Sequence, residues 1–187
     1  MSDCVLEHII LGMVLDCNLT GYEIKKRIEN GIGVFYKASF GSLYPALKKL
    51  AKENCLIASG SPQGGRQKIY YEITDDGKKV FMDWLSTPMD VLDGTNTNLV
   101  KVYFFDKLPK DARDRQLLEY EINYENYLKK LEALEKGFCN LENRDSYYYK
   151  LSTLYFGICV TQRIIQWCKH IRSGQPLTSL IQMEETE

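Results

Sequence analysis

The sequence of 187 residues lacks the groupings that metal sites and enzyme active sites need. It has only two histidines, His8 and His170, and its six cysteines are scattered without a C-x-x-C pair. Structural zinc requires closely spaced ligand pairs, so we expect free thiols in a reducing compartment. A glycine-rich phosphate loop, a nucleophile beside an evident base and paired catalytic carboxylates are also missing. This composition predicts a protein that is not an enzyme and carries no cofactor or metal.

Long apolar runs and a large excess of charge are lacking as well. No run of 18 apolar residues could cross a bilayer and no signal-like N-terminus appears, so we expect a soluble cytoplasmic protein without a membrane partner. The net charge is −1, with +1 on residues 1–84 and −2 on residues 85–187. Binding to a nucleic acid would therefore depend on a local cationic patch, because only charges that meet phosphate release counterions.

Residues 39–54 predict a short amphipathic helix. Pro45 is tolerated in a first turn, so the helix is expected to begin near Gly41 or Ser42. The buried stripe is predicted at Leu43, Ala46, Leu47 and Leu50. The other face carries small hydroxyls, a tyrosine and then lysines, which is what a recognition helix presents to the major groove. An ordinary amphipathic helix with a solvated lysine face is the alternative for this segment taken alone.

Two neighbouring patterns favour the DNA-binding interpretation. Residues 56–73 predict a β-hairpin that turns at Gly64-Gly65, carries Arg66 and Lys68, and points Ile69, Tyr71 and Ile73 inward. Thr20 and Glu23 form the pattern of a capping box that opens another helix. Together the segments predict a winged helix-turn-helix, so the fold class is mainly α with a small β-wing.

Residues 5–86 resemble the N-terminal domain of the PadR family of bacterial transcriptional regulators. Four motifs stand in order: GYEI at 21–24, SFGSLYPALKKL at 39–50, GGRQKIYY at 64–71 and ITDDG at 73–77. Phe40 and Ala38 stand where the family often has prolines. Asn54 replaces the glycine that closes the recognition helix, and we expect it to adopt the same left-handed conformation.

The resemblance implies a repressor that binds a pseudo-palindromic operator in double-stranded DNA as a homodimer. The DNA-binding residues expected from it and from the exposed helix face are Thr20, Tyr22, Ser39, Ser42, Tyr44, Lys48, Lys49, Gly65, Arg66 and Lys68. A transcriptional activator without an effector, or a winged helix that contacts only proteins, is the alternative. Hydroxyls and lysines on the recognition face argue against the protein-interaction module.

The second half predicts a dimerisation domain. We expect a DNA-binding domain over residues 1–86, a linker over 87–98 and a helical domain over 99–187. Apolar residues in the predicted helix from about Pro109 to Phe138 recur in an a/d heptad pattern: Leu117, Tyr120, Tyr124, Tyr127, Leu131, Leu134 and Phe138. A helix of this length predicts packing against a partner helix near residues 144–172 and against a second subunit. A monomeric helical hairpin is the alternative.

The second half is also rich in aromatic residues, including Tyr147, Tyr148 and Tyr149. Aromatic walls with phenolic hydroxyls suit a flat organic molecule. PadR-like regulators often release DNA when a phenolic acid or a hydrophobic drug binds, so the resemblance implies such an effector, in a cavity between the two domains. Aromatic residues at heptad spacing also serve interface packing, and that alternative stays open.

Overall fold

The computed structural model describes residues 2–63, 66–91, 95–139 and 144–182. In these ranges helices dominate and three strands form one sheet, so the fold-class prediction is confirmed. The elements are α1 (Ser2–Met13), β1 (Leu19–Thr20), α2 (Gly21–Gly31), α3 (Phe40–Lys52), β2 (Leu56–Gln63), β3 (Arg66–Ile73), α4 (Asp75–Ser86), α5 (Thr95–Tyr103), α6 (Lys110–Cys139), α7 (Tyr148–Ser173) and α8 (Ser179–Gln182). Within these ranges no helix is both long and apolar enough to span a membrane.

Helices α1 to α4 pack around one apolar core in the first part of the chain. Helix α1 contacts α2, α3 and α4. The core side chains that are fully or almost fully buried include Ile9, Ile10, Leu11, Ile24, Ile28, Leu43, Leu47, Leu50, Phe81 and Leu85. Helices α2, α3 and α4 contribute them at intervals of three or four residues, so one face of each is covered, whereas α1 buries three consecutive residues. This core fixes the position of α3.

The sheet has the strand order β1-β3-β2, and both pairings are antiparallel. In the hairpin, Leu56 pairs with Ile73 at the inner end and Gln63 pairs with Arg66 at the tip. In β1, Thr20 pairs with Tyr70. The hairpin is thereby tied to the residue that opens α2.

Residues 93–108 form a compact unit with residues 1–87, whereas residues 88–92 group with residues 109–187. This division differs from the expected linker over 87–98 and second domain from residue 99. Phe104 packs edge-on against Phe81, with ring centroids 5.3 Å apart. A Cβ on Gly12 would lie 2.7 Å from the Phe104 ring, so only glycine admits that ring. The charged Lys101 is buried, and its ammonium donates to the Thr87 hydroxyl at 2.7 Å.

The second unit is built on an antiparallel pair of long helices, α6 and α7. Ion pairs join them along one end: Arg172 lies 2.8 Å from Glu121, and Lys169 lies 2.8 Å from Glu125. At the other end Tyr155 donates to the Glu135 carboxylate at 2.7 Å. Helix α7 ends at Gly174, whose φ of 69° suits glycine.

Candidate nucleic-acid interface

A reciprocal capping box sets the start of α3. The Ser39 hydroxyl accepts the N–H of Ser42 at 3.1 Å, and the Ser42 hydroxyl accepts the N–H of Ser39 at 3.2 Å. Phe40 is therefore the first helical residue, which is earlier than the predicted start at Gly41 or Ser42. Pro45 lies beyond the first turn and cannot donate to the Gly41 carbonyl. The capping box, rather than the proline, decides where the helix begins.

The end of α3 confirms the prediction for Asn54. Asn54 has a φ of 57°, in the left-handed region. Its N–H donates to the Ala51 carbonyl at 3.3 Å, and the Cys55 N–H donates to the Leu50 carbonyl at 2.9 Å. These two bonds form a Schellman motif, which ends the helix and turns the chain directly into the wing.

The exposed side of α3 carries a ridge formed by Phe40, Tyr44 and Lys48, which are spaced by four residues. Phe40 is 44 % exposed and Tyr44 is 43 % exposed. Their rings lie nearly parallel, with centroids 6.1 Å apart. Lys48 is exposed as well. The ridge presents two aromatic rings and then a cation along the N-terminal two thirds of the helix.

Next to the ridge lies an open groove where α2, α3 and β3 meet. It is lined by Thr20, Gly21, Tyr22, Glu23, Tyr44, Lys68, Ile69 and Tyr71. Four predicted DNA-binding residues, one each from β1, α2, α3 and β3, are thus brought together. A Cβ on Gly21 would lie 3.1 Å from the Tyr44 ring, so a larger residue there would have to displace that ring slightly.

Capping of α2 sets the charge of one wall of the groove. The predicted capping box is confirmed: the Thr20 N–H donates to the Glu23 carboxylate at 2.8 Å, and the Glu23 N–H donates to the Thr20 hydroxyl at 3.3 Å. The backbone bond from Thr20, followed by its hydroxyl bond, lowers the pKa of Glu23. Burial raises the pKa of the Tyr71 phenol across the groove.

Lys49, Ser39 and Ser42 have structural roles that the sequence analysis did not predict. The Lys49 ammonium lies 2.7 Å from the Glu7 carboxylate on α1, away from the ridge. The hydroxyls of Ser39 and Ser42 are engaged in the capping box of α3. These three side chains therefore hold α3 in place.

The wing is described up to its turn. Gly65 and the side chain of Arg66 lie outside the described residues, whereas Lys68 is exposed on β3. Tyr71 and Ile73 point inward as predicted, but Ile69 is 49 % exposed. The prediction for Ile69 is wrong: Ile69 pairs with Gly60, and both residues are exposed.

Sequence reasoning missed the partners of Phe40. The Lys25 ammonium lies 4.2 Å from the centre of the Phe40 ring, close enough for a cation–π contact, and it is also paired with Glu29. The spacing of Lys25 and Glu29 is visible in the sequence as an i,i+4 pair. The contact between Lys25 and Phe40 depends on how α2 crosses α3, which no local pattern gives.

The heptad residues of α6 divide into two groups. Leu117, Tyr120, Tyr124 and Leu131 are already buried within one chain, so they do not fit the expected role of facing a second subunit. Leu131, for example, lies against Gly157 of α7. Tyr127 and Leu134 are 39 % and 57 % exposed, and Phe138 is half-buried beside Tyr147. The a/d pattern mainly describes the packing of α6 on its own hairpin partner.

Residues 10–83 match the profile of the transcriptional regulator PadR-like family. The first domain of the chain is therefore PadR-like. Residues 96–173 match a second profile, virulence activator alpha C-term. The family is one of regulators, which agrees with the missing enzyme motifs. Among the described residues, no cluster of histidine, cysteine and carboxylate side chains could hold a metal ion.

Among characterised relatives, the negative transcriptional regulator PadR of Bacillus subtilis is 32 % identical over 57 % of this chain and 59 % of its own length. A probable transcriptional regulator of Mycobacterium tuberculosis is 31 % identical over 45 % of each chain. The chain thus spans about half the length of the curated relatives it matches. A crystal structure of Bacillus subtilis PadR in complex with operator DNA has a TM-score of 0.46 and 24 % identity, over 90 % of this chain and 98 % of that one.

Proposed function

We propose that this PadR-like protein is a sequence-specific repressor that binds a pseudo-palindromic operator as a homodimer. The observation that carries the proposal is the ridge of α3 beside the groove lined by Thr20, Tyr22 and Lys68. In a helix-turn-helix, the N-terminal residues of the recognition helix reach base edges while flanking elements contact phosphates. The name of the Bacillus subtilis relative, a negative regulator, supports repression.

Each part of the interface has its own expected partner. Tyr44 and Lys48 point outward from α3 and suit the major groove. Lys68 on the wing, with Arg66 before it in sequence, suits phosphate or the minor groove. Lys49 is expected to contribute less, since its charge is already paired with Glu7. The two copies of this patch in a dimer would double the local positive charge of a chain whose net charge is −1.

Selection from random duplexes tests DNA binding directly. The full-length protein is incubated with a pool of random 30-base-pair duplexes, and the bound fraction is amplified and sequenced over several rounds. We expect an enriched motif made of two inverted half-sites about one helical turn apart. Recovery of no enriched sequence by folded protein would overturn the proposal and favour a winged helix that contacts only proteins. A promoter fusion carrying the selected site then separates repression from activation.

The wing is tested by the salt dependence of binding. Replacing Arg66 and Lys68 by alanine should weaken binding to specific and random DNA alike and lower the salt slope by roughly 1 to 2. The matched control is Lys129→Ala with Lys130→Ala, which removes the same charge from α6. If the wing variant has the same salt slope as the wild type, the wing does not contact DNA.

Dimerisation is supported by exposed apolar side chains in the second unit. On α7, Tyr149 is 82 % exposed and Phe156 is 71 % exposed, and they share one side of the helix. Exposed apolar patches of this kind mark interaction surfaces. We expect the wild type to sediment as a dimer at micromolar concentration and the variant Tyr149→Glu with Phe156→Glu to sediment as a folded monomer. The control is Gln162→Glu on the same helix, and a wild type that sediments at 21.7 kDa would contradict the dimer.

An aromatic or hydrophobic effector that releases DNA is the remaining part of the proposal. The aromatic content of the second half supports it. Bacillus subtilis PadR has been crystallised in complex with p-coumaric acid, which makes this acid the first compound to test. Release of the selected duplex by p-coumaric acid or another small phenol would support the effector. Unchanged DNA binding across such a panel would favour a regulator without a small-molecule effector.

A further inference from the structure

We propose that Phe40 determines part of the sequence specificity by reading the 5-methyl group of a thymine in each half-site. The inference rests on the proposed DNA-binding function and names the chemistry that one residue reads. Phe40 is the first residue of α3, the end of a recognition helix that reaches base edges. Phe40 is 44 % exposed, although its phenyl ring is apolar and gains nothing from contact with water.

The chemistry at the start of α3 favours an apolar contact over a hydrogen bond. The small hydroxyls that sequence analysis assigned to DNA, those of Ser39 and Ser42, are bonded to each other's backbone N–H groups. What this end of the helix presents outward is the Phe40 ring, followed one turn later by Tyr44. In the major groove, the C5-methyl group of thymine is the apolar feature that a phenylalanine can contact.

The surroundings of Phe40 hold the ring in one place. The Lys25 ammonium lies 4.2 Å from the ring centre, and Glu29 is ion-paired with that ammonium. The Lys25 side chain is only 20 % exposed, so it covers the ring rather than extending into solvent. The Phe40 ring also lies nearly parallel to the Tyr44 ring, with the two ring centroids 6.1 Å apart. A ring fixed before binding loses little conformational freedom when it contacts DNA.

Replacing thymine by uracil removes only the methyl group and leaves base pairing intact. The probe is the duplex enriched by the selection described above, synthesised as a series in which each symmetric pair of thymines becomes deoxyuridine. For the wild type, one pair of positions should weaken binding by about fourfold per half-site, the change expected for one methyl group. At that pair, Phe40→Ala should bind the thymine and uracil duplexes equally.

Two further variants keep the test decisive. Phe40→Pro places a proline at the first helical position, where the missing N–H and fixed φ are tolerated, and Ser39 already has the extended backbone that precedes proline. This variant should stay folded and should also lose the discrimination. Val80→Ala on α4 removes an apolar side chain of similar exposure, 41 %, and should keep it.

The outcomes separate this inference from the proposed function. If the wild type selects a DNA motif but no thymine-to-uracil change matters, the methyl contact is wrong while DNA binding stands. The methyl contact is also wrong if Phe40→Pro still distinguishes the thymine duplex from the uracil duplex. If the wild type selects no motif, the proposed function itself fails.

Discussion

The two units of the chain use their helices differently. In the first unit, several helix ends are fixed by residues a few positions away, as in the capping boxes at Thr20 and Ser39 and the Schellman motif at Asn54. In the second unit, long helices depend on side chains that meet across the α6–α7 hairpin, as Glu121 meets Arg172. Local rules therefore describe the first unit better than the second, because a heptad pattern does not show whether its apolar face is covered by the same chain or by a second subunit.

The sharpest contrast between the units is between two helical glycines. A Cβ on Gly77 would lie 2.1 Å from the Cys55 carbonyl oxygen, whereas a Cβ on Gly137 in α6 meets nothing within 4 Å. Gly77→Ala should destabilise the first unit by about 3 kcal/mol or more, since backbone must move. Gly137→Ala should be neutral or stabilise by about 0.5 kcal/mol. Thermal unfolding followed by circular dichroism measures both, and equal effects would contradict the close approach of α4 to the Cys55 backbone.

Two leucines test which heptad positions are internal to the hairpin. Leu131 is 8 % exposed and Leu134 is 57 % exposed. Leu131→Ala should lower the free energy of unfolding by about 2 to 3 kcal/mol, because it opens a cavity between α6 and α7. Leu134→Ala should change it by less than about 0.5 kcal/mol in the monomer. Urea unfolding at low protein concentration separates the two, and the reverse order would mean that α6 packs on α7 through its other face.

A smaller effect is expected at the capping box of α2. Thr20→Ala removes the bond to the Glu23 N–H and should cost about 1 kcal/mol, while Thr20→Ser should cost little. The folded-state pKa of Glu23 is lowered below its ordinary 4.5, chiefly by the Thr20 backbone bond. The stabilisation that the folded protein gains from the ionised Glu23 is therefore present above pH 4.5. It is lost as the pH falls through the folded-state pKa of Glu23. Nuclear magnetic resonance titration of Glu23 should show its pKa move toward 4.5 in Thr20→Ala, and an unmoved pKa would show that the hydroxyl plays no part.

Sequence patterns predicted most of the first unit because its decisive contacts are short-range. The capping box of Thr20, the left-handed Asn54 and the buried face of α3 each follow from residues within one or two turns. The pattern could not show that Lys49 is paired with Glu7, a residue 42 positions away. The contact of Phe40 with Lys25 was hidden for the same reason.

In the second unit, the heptad pattern predicted the length of α6 and its hairpin partner but not which face stays exposed. Tyr120 and Tyr124 were expected to meet a second subunit, yet both are buried, with ring centroids 4.8 Å apart. Periodicity gives the apolar face of a helix, and only the tertiary arrangement decides what covers it. The sequence also did not predict that residues 93–108 belong to the first unit, because Phe104 joins the core of that unit through a contact with the distant Phe81.

The most direct test of the DNA-binding account compares two lysines that are neighbours in sequence. Lys48 lies on the exposed ridge with Tyr44, whereas Lys49 is paired with Glu7. Affinity for the selected duplex should fall by about tenfold or more in Tyr44→Ala with Lys48→Ala, since a base contact contributes about 1 to 3 kcal/mol. Lys49→Ala should weaken binding much less. Unchanged affinity of the folded double variant, or a larger loss in Lys49→Ala, would contradict the assignment of this face to DNA.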